Sequence, residues 1–167
     1  MIRSAVVLTL ATAIWAGSAA GQTTPSSRCE VRIEGDVPRP LTAGPEQLQA
    51  LQRREVRAAV HGQDTALYTG VKLAEILQLA GVRLGPGPKG AGVAQYVVVR
   101  AKDGYRAVYA VAELDSALSD REIWFVDQKN GAALDQTEGP CRILSTSDRR
   151  HARSVRQVTA IEFHQVP

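Results

Sequence analysis

The sequence predicts an α+β domain built on a mainly antiparallel or mixed sheet. Short apolar runs of strand character outnumber helical stripes. The connections are mostly short and carry tight-turn residues, as at Lys102, Asp103 and Gly104 and again at Lys129, Asn130 and Gly131. One stretch, residues 68–82, carries a strong helical stripe, with Leu73, Ile76, Leu77 and Ala80 at i, i+3, i+4 and i+7. The strands that follow need such a helix to cover one face. Thr69 or Gly70 is expected to cap its start, and Gly81 to stop it in the left-handed conformation.

The chain divides into three parts. Residues 1–21 read as an export signal, with Arg3, an apolar run over 5–16 and small residues at Ser18, Ala19, Ala20 and Gly21. The run is about a dozen residues, short of the ~20 that span a bilayer, so no membrane span is expected after cleavage. Residues 22–28 are a polar leader expected to be mobile, and residues 29–167 form one domain. Only one arginine precedes the apolar run, so there is no twin-arginine signal. The chain is therefore expected to cross the membrane unfolded and to reside in the periplasm or outside the cell.

Within the domain, residues 30–34 alternate polar and apolar side chains and read as a strand ended by Gly35. Residues 37–40 are extended, and 42–53 read as a short helix with Pro45 near its first turn and Leu48 and Leu51 inward. Residues 55–60 predict a second strand, and 61–64 a turn before the central helix. Residues 95–101 and 105–111 predict a hairpin, with three consecutive valines in its first strand. A helical turn over 112–117 and strands over 123–126, 142–145 and 158–163 complete the set.

Composition excludes some functions. Loss of Arg3 with the leader leaves 19 basic against 17 acidic residues, interspersed, with few aromatics. A nucleic-acid surface would want a concentrated basic face with stacking partners. The glycine-rich loop over 85–92 lacks the GxxxxGK[ST] pattern, so no nucleotide phosphate loop is present. His61, His151 and His164 have no metal-ligand spacing. Asp103 and Glu113 are isolated carboxylates at a turn and a helix start, where capping duty is expected. Cys29 and Cys141 are the only cysteines. An even count in an exported chain favours a disulfide, which would close a loop worth roughly 4–5 kcal/mol. The rival reading is a free, reactive Cys141.

Six segments in order resemble the molybdopterin-binding domain of the sulfite oxidase family. They are Val31-Arg-Ile-Glu-Gly-Asp-Val-Pro-Arg-Pro40, Tyr68-Thr-Gly-Val-Lys-Leu-Ala-Glu-Ile-Leu77, Asp103-Gly-Tyr105, the run 127–140, Gly139-Pro-Cys-Arg-Ile-Leu144 and Arg153-Ser-Val-Arg-Gln-Val158. The resemblance covers nearly the whole mature chain and implies that family's fold. In catalytic members a cysteine thiolate ligates molybdenum between the second strand and the Gly-Val helix, as a soft metal centre requires. Here that stretch, residues 58–68, holds no cysteine, and neither Cys29 nor Cys141 stands at the ligand position. His61 lies nearest, and a lone turn histidine is most simply solvated. No catalytic residue and no metal ligand is assigned.

The resemblance also implies that Arg153, Ser154 and Arg156 hold the terminal phosphate of a pterin through charge-assisted hydrogen bonds. The alternative is a solvated basic loop. The family's cofactor normally travels inside a folded protein by the twin-arginine route, so a chain exported unfolded is expected to carry none. Three functional readings follow. The first is a non-catalytic exported module that binds an anionic small molecule near Arg153 and Arg156, or an envelope protein partner. The second is a molybdopterin-dependent oxidoreductase holding the pterin phosphate at the same segment. The third is a structural envelope domain stapled by Cys29 and Cys141.

Overall fold

The computed structural model describes residues 28–59, 62, 64–85 and 93–166. The export signal, nearly all of the leader, His61 and most of the glycine-rich loop lie outside the described residues.

Two sheets carry the architecture. In the first, β2 (Leu41–Ala43) and β1 (Val31–Gly35) lie beside β10 (Val158–Gln165), followed by β5 (Gln95–Ala101) and β6 (Arg106–Ala110). The β1–β10 pairing is parallel and the others are antiparallel, so the sheet is mixed. The second sheet runs β3 (Arg54–Ala58), β4 (Ala66–Lys72), β7 (Ile123–Lys129) and β8 (Ala132–Ala133), with β9 (Arg142–Ser145) also on β7. Among the described residues three short helices complete it: α1 (Pro45–Gln49), α2 (Leu73–Leu79) and α3 (Val111–Leu114). This is the predicted α+β class, and most predicted strands stand where the alternation placed them.

The main core lies where the inner faces of both sheets meet α2. Val31, Ile33, Val97, Val99 and Ile161 come from the first sheet, and Val71, Phe125 and Ile143 from the second. The predicted stripe Leu73, Ile76, Leu77 and Ala80 is fully buried against them. Each such aliphatic side chain contributes about 1.5–3 kcal/mol. Gly81 ends the helix at φ +85°, with its N–H on Gln78 O and that of Val82 on Leu77 O, the Schellman arrangement. A second small cluster, Ala66, Tyr68, Trp124, Val126 and Leu144, occupies the other face of the second sheet.

Two helix expectations are corrected. The central helix begins at Leu73, and residues 66–72, with Thr69 and Gly70 inside them, form β4 instead. Gly70 is there for close approach: a Cβ on it would strike the Phe125 carbonyl oxygen across the β4–β7 ladder. The helix expected over 42–53 is shorter, because Leu41–Ala43 pairs with β1 and only Pro45–Gln49 coils. Pro45 does open it, and Gln47 Oε1 accepts the Gly44 N–H at 3.0 Å.

Cys29 and Cys141 form a disulfide with their Cα atoms 5.1 Å apart, so the free-thiol reading of Cys141 does not hold. The bond ties the lead-in of β1 to that of β9 across a sequence separation of 112.

Candidate functional site

The predicted phosphate-binding residues lie between β9 and β10. After β9 the chain makes a turn, a single 3-10 turn at His151–Arg153, and an extended stretch through Arg156 into Gln157 at φ +50°. Main-chain bonds hold this segment at both ends. Ile143 N–H donates to Val155 O at 2.8 Å, and Gln157 N–H donates to Glu138 O at 3.0 Å. The hairpin β5–β6 pins its middle. Tyr105 donates its hydroxyl to Ala152 O at 2.6 Å, and Tyr109 donates to Arg153 O. Burial pushes the Tyr109 phenol well above its ordinary range, so it stays a donor.

Arg153, Ser154 and Arg156 are adjacent but have different surroundings. The Arg153 guanidinium is engaged within the chain on all of its nitrogens. Nε and Nη2 fork onto Asp148 at 2.8 and 2.7 Å, both Nη atoms reach Glu113 at 3.1 Å, and Nη1 also reaches Val108 O at 3.4 Å. Its flat face lies 4.8 Å over the Tyr109 ring. The hydrogen bond from Arg153 holds Asp148 below the usual carboxylate range. Ser154 is buried, and its Oγ accepts the Ser145 N–H at 3.1 Å. Arg156 is exposed and has no hydrogen-bond or ion-pair partner among the described residues.

Arg156 lines a cleft of about 400 Å³ together with Tyr105, Asp103, Thr137, His151 and Gln157. A smaller pocket of about 140 Å³ lies on the other side of His151 and Ser154. Arg57, Ala58 and Ala59 from the end of β3 line it opposite Leu144 and Thr146. Arg57 is likewise exposed and without a partner among the described residues. The stretch where a thiolate ligand was sought and the basic segment therefore border one region.

Asp103 and Glu113 perform the expected capping. Asp103 Oδ1 accepts the Tyr105 N–H at 2.9 Å, and Glu113 Oε1 accepts that of Ala110 at 3.1 Å. Glu113 does more than expected, since it also pairs with Arg153.

Sequence reasoning missed a second cluster, built on Arg142. This side chain is 1% exposed, and its Nη1 lies 2.8 Å from Glu138 Oε2. Lys129 Nζ reaches Glu138 Oε1 at 2.8 Å, and Tyr68 donates to Oε2 at 3.3 Å. Burial works to raise the Glu138 carboxyl, but Lys129 and Arg142 outweigh it and hold the group low. Arg142 Nε and Nη2 have no hydrogen-bond partner among the described residues. The only sequence signal was Glu138 and Arg142 four residues apart around Gly139, Pro140 and Cys141.

The donor set fits a phosphate group and not a thiolate-bound metal. Arg156 and Arg57, without partners among the described residues, offer cations at the cleft and the pocket, whereas both cysteine sulfurs are consumed in the disulfide. Among the described residues no three His, Cys, Asp or Glu side chains converge to hold a metal ion.

Comparison with known proteins bears on the family and the fold. A family model described as "Oxidoreductase molybdopterin binding domain" matches residues 20–167. The sulfane dehydrogenase SoxCD from Paracoccus pantotrophus is similar in structure, with a TM-score of 0.61 at 17% identity. The match covers 82% of this chain and 39% of that one, and at this identity it speaks to the fold. No curated protein matches the chain.

Proposed function

Because the chain belongs to the oxidoreductase molybdopterin-binding domain family, we propose that it is a non-catalytic binding module of that fold, taking a phosphate-bearing anion beside Arg156. One observation carries the reading: the only two cysteines are joined to each other, leaving no thiolate for the metal end of a molybdopterin. Arg156 supports the anion end, as a guanidinium without a partner among the described residues in a cleft of about 400 Å³. A phosphate there would gain charge-assisted hydrogen bonds without breaking an internal ion pair. A pterin phosphate and a free phosphorylated metabolite share this chemistry. The disulfide favours an oxidising compartment, which supports the periplasm or the exterior as its location.

The test is elemental analysis and pterin fluorescence on protein purified from its native envelope, followed by thermal melts in inorganic phosphate. The reading expects no stoichiometric molybdenum, and a melting temperature that rises with phosphate in the native chain but not in Arg156→Ala. Stoichiometric molybdenum would overturn it in favour of a molybdopterin-dependent oxidoreductase with a non-thiolate ligand. No phosphate response and no metal would leave a protein partner as the ligand, and the anion reading would be wrong.

A further inference from the structure

We propose that the outer edge of β3 is an interaction surface for a second copy of this chain, the two β3 strands pairing antiparallel about a two-fold axis at Val56. Main-chain geometry leaves that edge open. Leu67, on β4, donates its N–H to Asn130 Oδ1 at 3.0 Å and accepts the Asn130 N–H at 2.6 Å, so its backbone faces the β7 side. Backbone direction alternates along a strand, so Ala66 and Tyr68 face β3, where they stand opposite Ala58 and Val56. Glu55 and Arg57 therefore turn their N–H and C=O groups away from β4. None of these four groups has a hydrogen-bond partner among the described residues.

Other sheet margins are closed or short. Arg153 and Glu113 occupy the edge of β6, and β2 and β8 are three and two residues long. By contrast β3 offers five residues and an unbonded edge, a template on which another strand can add.

Residue identity selects the occupant. Glu55 and Arg57 are exposed, lie on one face of the strand, and have no ion-pair partner among the described residues. Charges of one sign would blunt the edge against pairing. Opposite charges two positions apart make it self-complementary instead. A two-fold axis sets β3 antiparallel to its own copy and can pass at any one of its residues. An axis at Arg54, Glu55 or Arg57 would set that charge directly against itself, which is destabilising. An axis at Ala58 would leave most of the strand unpaired. Only the axis at Val56 sets Glu55 opposite the partner's Arg57, and Arg57 opposite the partner's Glu55. Both pairs then fall where opposed residues exchange two main-chain bonds. Val56 meets its own copy, and because it packs on the cluster of Tyr68, Trp124 and Leu144, the pairing joins the margins of two apolar clusters. Arg57 is engaged in this dimer, and the anion reading is left to Arg156, on which it rests.

The experiment is sedimentation equilibrium of the full chain across a concentration series, without phosphate. The proposal expects a reversible monomer–dimer equilibrium. Glu55→Arg and Arg57→Glu, each shown folded by circular dichroism, should each weaken the dimer about tenfold or more, since both cross-strand pairs become repulsive. Mixing the two variants should restore association to the native strength, because every charge again meets its opposite across the strands. A chain that stays monomeric up to millimolar concentration would overturn the proposal and leave the edge to a strand of another protein. A dimer indifferent to both reversals, or a mixture that fails to associate, would also overturn it. The anion reading is measured by its phosphate response and this one by association alone, so the two fail separately.

Discussion

Arg153 and Asp148 meet fork to fork, with Nε on Oδ2 at 2.8 Å and Nη2 on Oδ1 at 2.7 Å. The pair closes the stretch 148–153 on itself and, through Glu113, fastens it to the start of α3. Arg153 thus braces the segment, and Arg156 is the residue left open to a ligand. Arg153 and Glu113 also guard a sheet edge. Arg153 covers Val108 O and Glu113 covers Ala110 N–H, both on the outer strand β6.

This division of labour separates two variants. Arg153→Ala removes several charge-assisted bonds and leaves two carboxylates facing each other. It should cost about 2 kcal/mol, read as a lower urea midpoint. Arg156→Ala removes no hydrogen bond or ion pair among the described residues and should stay within about 0.5 kcal/mol of the native chain, while losing the phosphate response. Equal destabilisation by both would show that Arg153 is not a brace.

The Arg142 cluster should be the more sensitive one. Glu138→Ala strands a guanidinium that is 1% exposed, and breaking such a buried pair costs about 3–5 kcal/mol. Denaturant melts of this variant should show a far larger loss than Glu34→Ala, whose only ion-pair partner among the described residues, Arg32, is on the surface. A loss under about 1 kcal/mol would mean that water already screens Arg142.

Replacing both Cys29 and Cys141 by serine opens a loop spanning 112 positions. The chain-entropy account gives a loss of about 4–5 kcal/mol. Equilibrium unfolding of the oxidised and double-serine chains measures it directly. Indistinguishable midpoints would contradict the account.

Acid should weaken the fold. Asp148 and Glu138 titrate below their ordinary values of 3.8 and 4.5 in the folded chain. The unfolded chain therefore binds more protons over that range, and stability rises with pH there. The contribution is complete above about pH 5 and is lost as pH falls through the ordinary values toward the folded ones. Melting temperatures between pH 6 and pH 3 should show the decline, with a shallower slope in Asp148→Asn. An unchanged slope would remove Asp148 from the account.

Much of the fold was legible because strands here are written in local patterns. Residues 95–101 and 142–145 could be bounded from side-chain runs alone, and Asn130 and Gly131, at φ 52° and 79°, form the tight turn that their pair encodes. The stripe from Leu73 to Ala80 was equally clear. Its start was not, because whether Tyr68, Thr69 and Gly70 coil or extend depends on β7 lying alongside, and that neighbour arrives more than fifty residues later. Propensity is local, and ladder pairing is not.

The site divides in the same way. The sequence by itself determined that residues 58–68 carry no cysteine, since that follows from residue identity. It also determined that Arg153, Ser154 and Arg156 share one segment. Only the tertiary structure decided which of them is open, because Asp148, Glu113, Tyr109 and Ser145 come from separate turns and strands to engage the first two. Charge and hydrogen-bonding capacity belong to a residue, but whether that capacity is already used depends on what the fold brings within about 3 Å of it.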